Sequence, residues 1–317
     1  MNKYINNLKN HFDPKTLSYI GLFFVVCVWG TSPLITLHFY KYYSPGIHAF
    51  FAELILILTY ICMSGKHLRE FNREYIKAGI PTGFFMALAN VSQKIGLIYT
   101  TPARYAFLEN LSCITVPVLM YFLVKKKPGI MTILSCFLSL ASVFILNGIS
   151  FDGVSSWGIG EILCAVSGLL YGFNIAGTGA FAKKLYAPMY LATQSVVGMI
   201  VSLIAALALN FITVTNSSGV QLPVEKIVFS FKPEHIISNI FYIIISSALC
   251  WVIRTNSMKH IDATVVAIIM PFSAVVTGML SVLAGNDILN TGLVAGGILG
   301  VVAVVMSSFD DKKNKKS

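Results

Sequence analysis

The chain has 317 residues, 56% of them hydrophobic and only 11% charged, with a net charge of +10 at pH 7. A soluble domain carries about 25% charged residues, so this composition excludes an ordinary soluble enzyme or binding module and points to an integral membrane protein. The basic excess would suggest nucleic acid in a soluble chain, but its placement along this one argues for membrane topology instead.

In chain order, a short tail at 1–16 leads into ten apolar runs long enough to cross a bilayer as helices. They lie at about 17–38, 45–63, 76–99, 102–124, 130–149, 158–181, 188–212, 236–257, 262–284 and 290–308, and a basic tail closes the chain at 310–317. The runs are continuous rather than alternating, which excludes a transmembrane barrel. The first lacks a small-residue cleavage site and reads as a retained helix rather than a signal peptide. Connections are short except at 213–235, which is rich in polar and turn-forming residues.

Starting with the N-terminus inside, 17 of the 23 Lys and Arg residues fall in inner segments, 3 in outer segments and 3 within spans. This asymmetry is the positive-inside rule, and it predicts a multi-pass protein of the cell (inner) membrane with both termini cytoplasmic. The lipid bilayer is thus an expected partner and nucleic acid is not. The six cysteines all fall within spans with no paired spacing, so neither a disulfide nor a metal site is expected. No phosphate-binding loop of the GxxxxGK[ST] type is present, and no cofactor is implied.

Ten spans divide into halves at 17–149 and 158–309, joined by an external linker at 150–157. "WGTSPLITLHFYKYYSP" from Trp29 aligns with "YGFNIAGTGAFAKKLYAP" from Tyr171, pairing Trp29 with Tyr171 and Gly30 with Gly172. "GLIYTTPARYAFLENLSCITVP" from Gly96 aligns with "SMKHIDATVVAIIMPFSAVVTG" from Ser257, pairing Ala106 with Ala267 and Ser112 with Ser273. Five spans per half forces opposed orientations. The predicted fold is therefore all-α and integral to the membrane, with ten transmembrane helices as two inverted five-helix repeats.

Polar residues within the spans mark the candidate site, because an intramembrane charge costs at least about 2.5–3.5 kcal/mol unless it meets a partner or a cavity. On the third span Asn90, Gln93, Lys94 and Leu97 share a helix face; on the eighth, Ser247, Cys250, Arg254 and Ser257 do, and Gln93 pairs with Arg254 under the repeat. The fourth span adds Tyr105, Glu109 and Ser112. Arg104 reads as an outer-interface anchor, whereas Glu109 lies deeper and needs either a proton or a cationic partner, Lys94 or Arg254. The expected solute-binding residues are Trp29, Asn90, Gln93, Lys94, Tyr105, Tyr171, Trp251 and Arg254. Glu53 and Glu109 are the candidates for proton coupling or charge relay, and Glu161 reads as favouring a helix N-terminus. The small-residue stripes Gly292, Gly296, Gly300 and Ser135, Ser139, Ser142 fit close helix contact within the bundle, and also a homodimer face.

Trp29-Gly30, Pro45 at the start of the second span, and the stretch "GLIYTTPARYAFLENLSCITVPVL" together resemble the drug/metabolite transporter superfamily, in particular its ten-helix EamA-type members. The resemblance covers about residues 17–308. One departure is Glu53, where members often carry Arg. What the resemblance implies is an inverted-repeat carrier with a central cavity, often an exporter of amino acids or other small metabolites. A secondary transporter of a small polar organic solute is thus the leading expectation. The alternatives are an integral membrane enzyme, although no HExxH, GxSxG or carboxylate–histidine cluster appears, and a channel.

Overall fold

The computed structural model describes residues 13–313 except 101, 126, 147–157, 182, 212, 216–220, 224–227 and 284–290. The expected linker at 150–157 and the side chain of Arg104 lie outside the described residues and side chains. The helices in order are α1 (Pro14–Phe39), α2 (Pro45–Ser64), α3 (Arg73–Tyr99), α4 (Pro102–Glu109), α5 (Ser112–Val124), α6 (Ile130–Leu146), α7 (Ile159–Phe181), α8 (Ala187–Phe211), α9 (Pro233–Ile243), α10 (Cys250–Ser257), α11 (Ala263–Ile269), α12 (Phe272–Leu283) and α13 (Thr291–Lys313). A 3-10 turn, Gly65–Glu70, comes after α2, and a π-helical stretch, Ile244–Leu249, joins α9 to α10.

Local chemistry sets several of these ends. Prolines open α1, α2 and α9, where the missing N–H costs no helical bond. Asn72 caps α3 by accepting from Glu74 N at 2.9 Å, and Asp262 caps α11 by accepting from Thr264 N at 2.9 Å. Glu161 sits in the first turn of α7 and accepts from Thr100 Oγ1 and Gly158 N, each at 2.8 Å.

Among the described residues, seven helical stretches are long and apolar enough to cross a membrane, and Ile130–Ile145 and Thr291–Ser307 are shorter apolar helices. Helix α3, which carries Lys77, Asn90, Gln93 and Lys94, is not among the seven. The chain is a multi-pass helical membrane protein. Phe122, Ile204 and Phe241 are more than 60% exposed, as suits side chains that meet lipid rather than water.

Two features depart from the uninterrupted helices expected. The run at 102–124 breaks between α4 and α5 at Asn110 and Leu111, and the run at 262–284 breaks between α11 and α12 at Met270 and Pro271. Pro271 lacks the N–H that a continuing helix would need. The connection at 213–235 contains a small antiparallel hairpin, β1 (Thr213–Thr215) with β2 (Gln221–Pro223).

Helix α7 is central. It runs along α3 and packs against α4 and α5; α2 packs along α8, α6 along α13, and α1 against α10 and α12. Gly168 makes the α4 contact possible: a Cβ there would strike the backbone oxygens of Leu108 and Glu109. The small-residue stripes are used within the chain. Ser142 Oγ donates to Gly296 O at 2.6 Å, Ser139 Oγ to Ile268 O at 3.4 Å, and Gly300 lies against Ser142, Phe272 and Val275.

The bundle has two distinct ends. At one, Tyr43 pairs with Phe229, and Ser44 N donates to Val228 O at 2.9 Å, tying the α1–α2 connection to the segment before α9. At the other, Tyr186 stacks on His67, and Tyr75 OH accepts from Tyr186 N. We call these the Tyr43 end and the Tyr186 end.

Candidate solute-binding cavity

A cavity of about 250 Å³ lies among α1, α3, α4, α7, α10 and α12. That is below the roughly 300–1,000 Å³ of pockets for drug-sized ligands, so it suits a small metabolite. Its lining runs from Arg254, Trp251 and Tyr171 in the middle of the bundle to Thr36, Tyr40, Leu97 and Tyr105 toward the Tyr43 end. Both helix breaks reach it, through Glu109, Asn110 and Ser112 on one side and Met270, Ser273 and Ala274 on the other. Irregular backbone at membrane depth is tolerated where it lines a cavity or is buried in protein, because its freed polar groups find partners there.

All eight residues expected to bind solute, Trp29, Asn90, Gln93, Lys94, Tyr105, Tyr171, Trp251 and Arg254, line this cavity, and so does Glu109. The α3 face forms one wall. Tyr171 OH donates to Asn90 Oδ1 at 2.6 Å and to Gln93 Oε1 at 2.8 Å, and Gln93 Nε2 donates to Glu109 Oε1 at 2.7 Å and to Tyr105 OH. Gln93 thus turns its oxygen to the α7 tyrosine and its NH2 to the α4 carboxylate. Glu109 takes hydrogen bonds from Gln93 and Tyr105, and Arg254 gives its own to Asn174.

Arg254 forms the opposite pole. It is 2% exposed, its guanidinium lies 4.1 Å from the Trp251 ring centroid and 5.8 Å from that of Trp29, and its Nη2 donates to Asn174 Oδ1 at 3.0 Å. The two indoles stand 5.3 Å apart, and Trp29 Nε1 donates to Ser246 O at 2.8 Å. The cavity therefore offers two cationic side chains, Lys94 and Arg254, one carboxylate and a stack of aromatic faces.

Glu53 is placed elsewhere. It is buried on α2, bonds Ser195, and lies so close over Gly198 of α8 that a Cβ there would meet its carboxyl carbon at 2.7 Å. One of its oxygens, Oε2, has no hydrogen-bond partner among the described residues. Lys94 acts electrostatically on both Glu53 and His48, so α3 connects the cavity wall to this seam.

The eighth-span face expected from simple periodicity is corrected at two positions. Ser246, Ser247, Trp251 and Arg254 line the cavity, but Cys250 is fully buried in the core around Leu22 and Val26, and Ser257 donates to Ser18 O. The π-helical stretch at Ile244–Leu249 adds a residue to the turn and rotates the helix beyond it. Residues missed in the sequence include Ser32 and Thr36 of α1 and Tyr40 just after it, which succeed Trp29 at helical spacing, and Tyr242 and Thr277. The α1 set carried a readable signal, a polar face at i, i+3, i+7 and i+11. Asn174, 0% exposed, had none beyond being a polar residue in an apolar run.

Residues 158–309 match the family described as "EamA-like transporter family". Through this segment the chain is similar to the EamA-like transporter family. That family is part of the drug/metabolite transporter superfamily and consists of membrane transporters. Comparison with curated proteins gives no match. Among solved structures, one described only as "Crystal structure of protein" superposes with a TM-score of 0.70 at 14% identity, covering 94% of this chain and 98% of its own. At that identity the likeness is one of fold, and it extends over both halves of this EamA-like protein.

Proposed function

We propose that this EamA-like protein is a secondary active transporter, working as an exporter, of a small polar metabolite such as an amino acid, by alternating access of two inverted five-helix halves. The observation that carries the reading is the cavity itself: two cations, one carboxylate and two indoles converge at two broken helices in mid-bundle. A zwitterion satisfies both poles, its carboxylate at Arg254 and its ammonium at Glu109 and Tyr105.

Several observations support the inverted repeat. The breaks after Glu109 and Ile269 fall within one residue of matching places under the pairing of Gln93 with Arg254. Trp29 and Tyr171, paired in the sequence, both face the cavity. The second and seventh spans pack on each other, as do the fifth and tenth, which is what a two-fold relation between the halves requires. With the basic connections of the Tyr186 end in the cytoplasm, the cavity faces outward, and both termini are cytoplasmic in a cell-membrane protein.

The test is counterflow in proteoliposomes loaded with individual amino acids, together with metabolite profiles of cells and medium. Saturable, trans-stimulated flux of one solute, with that solute accumulating in the medium of producing cells, is the expected result. Non-saturable flux indifferent to trans solute would make the protein a channel and end the carrier reading.

A further inference from the structure

Arg254 is a buried cation without an acidic partner among the described residues. It makes one hydrogen bond there, to the neutral amide of Asn174; its Nε has none, and its charge otherwise rests on the two indole faces. Buried charges are costly unless paired, and a hydrogen bond between two ionised partners is roughly twice as strong as a neutral one. An anionic group entering the cavity therefore competes with Asn174 for the guanidinium on favourable terms.

Asn174 in turn closes a second polar set, on the Tyr186 side of Arg254. Its Nδ2 donates to Thr82 O at 3.0 Å. Tyr190 OH donates to Thr82 Oγ1 at 2.8 Å, Gln194 Nε2 donates to both of those hydroxyl oxygens at 2.8 Å, and Thr178 Oγ1 bonds Tyr190 OH at 3.1 Å. All five residues are under 5% exposed, and Gln194 Oε1 is left with no partner among the described residues. An orphan polar atom in a packed membrane core calls for a reason. The repeat supplies one: under the pairing of Trp29 with Tyr171, the cavity-lining Ser32 and Thr36 correspond to Asn174 and Thr178.

We infer that this buried set is the wall of the second half of the solute passage, closed in the state seen here, and that Asn174 is its latch: an anionic solute that takes Arg254 from Asn174 frees α10 from α7 and lets the passage open toward the Tyr186 end. The inference rests on the transporter reading and adds to it a residue that ties occupancy to opening. Asn174 is a positioning residue; it does not line the cavity.

The test uses the full chain in membrane vesicles of both orientations, with Thr178→Cys and, separately, Ser32→Cys treated with a membrane-impermeant maleimide and read by mass spectrometry at the substituted position. With Asn174 intact, position 178 is expected to stay unlabelled. Asn174→Ala raises its labelling on the order of tenfold from the Tyr186 side, as loss of one hydrogen bond to a charged group predicts. Arg254→Gln does the same from the other partner, which keeps the test available if one variant fails to fold. Position 178 silent in both folded variants while position 32 is labelled from the Tyr43 side overturns the latch and leaves the transporter reading intact. Position 32 silent from both sides in otherwise native protein overturns the open cavity on which both rest.

Discussion

Tyr171 and Asn174 stand one helical turn apart on α7 and hold opposite poles of the cavity: Tyr171 reaches Gln93 and through it Glu109, whereas Asn174 holds Arg254. One helix thus spans the acidic and the basic side, and a change in either pole is felt by the same rigid element. Gly168 and Gly172 seat that helix against α4 and α5.

Gln93→Leu removes the amide that orients Tyr171 and Glu109. A buried carboxylate left short of a donor costs about 1–3 kcal/mol. The expected outcome is a lower melting temperature in detergent and loss of counterflow, whereas Asn90→Leu, which leaves Glu109 its donors, costs less. Equal melting temperatures for native protein and Gln93→Leu would show that the chain from Tyr171 to Glu109 carries no structural weight.

Trp251→Ala uncovers the guanidinium of Arg254. A desolvated cation–π contact is worth up to about 2 kcal/mol, so the apparent affinity for solute should fall on the order of tenfold, with Trp251→Phe between the two. Concentration dependence of counterflow measures it. Unchanged affinity in Trp251→Ala would remove the indole from solute binding.

Gly168→Ala and Gly297→Ala form a matched pair. The first drives a methyl group into the backbone of α4 beside Glu109; the second meets only Val275 Cγ1 at an ordinary 3.4 Å. Gly168→Ala should destabilise the protein and impair transport by pushing α7 off α4. Gly297→Ala should leave both near native, or slightly improved, since alanine favours helix by about 1 kcal/mol.

Glu109→Gln keeps the shape of the cavity and removes its carboxylate, so flux driven by a proton gradient should be lost and the apparent affinity for a zwitterionic solute in counterflow should fall. Glu53→Gln, which is not part of the lining, should change solute affinity less than Glu109→Gln does. If gradient-driven flux survives with both substitutions combined, proton coupling through these carboxylates is wrong.

The apolar runs and the polar faces were legible because membrane burial leaves little choice: long runs must be helices, and Gln93, Lys94, Glu109 and Arg254 must avoid lipid. The breaks at Asn110–Leu111 and Met270–Pro271 were not read, because hydropathy does not register a lost turn inside an apolar run. Partnerships were harder still. Lys94 and Arg254 were the obvious charges for Glu109, yet neutral Gln93 and Tyr105 take that role, and neutral Asn174 takes Arg254, since which side chains meet depends on helix rotation and spacing rather than on charge. Glu53 was legible as a deep carboxylate, but not its setting, since its helix turns it toward Gly198.

The π-helical stretch ahead of Trp251 makes the cavity sensitive to the length of the chain that builds it. One residue corresponds to about 100° of rotation in a helix. Deleting a single apolar residue of the regular turn that follows, Val252 or Ile253, would leave the hydropathy profile almost untouched and every lining residue present, yet would put Thr255 in the place of Arg254 and carry the guanidinium off the cavity. Recognition by this protein is written partly in chain length: a miscount of one, with no change of chemistry, is enough to erase it.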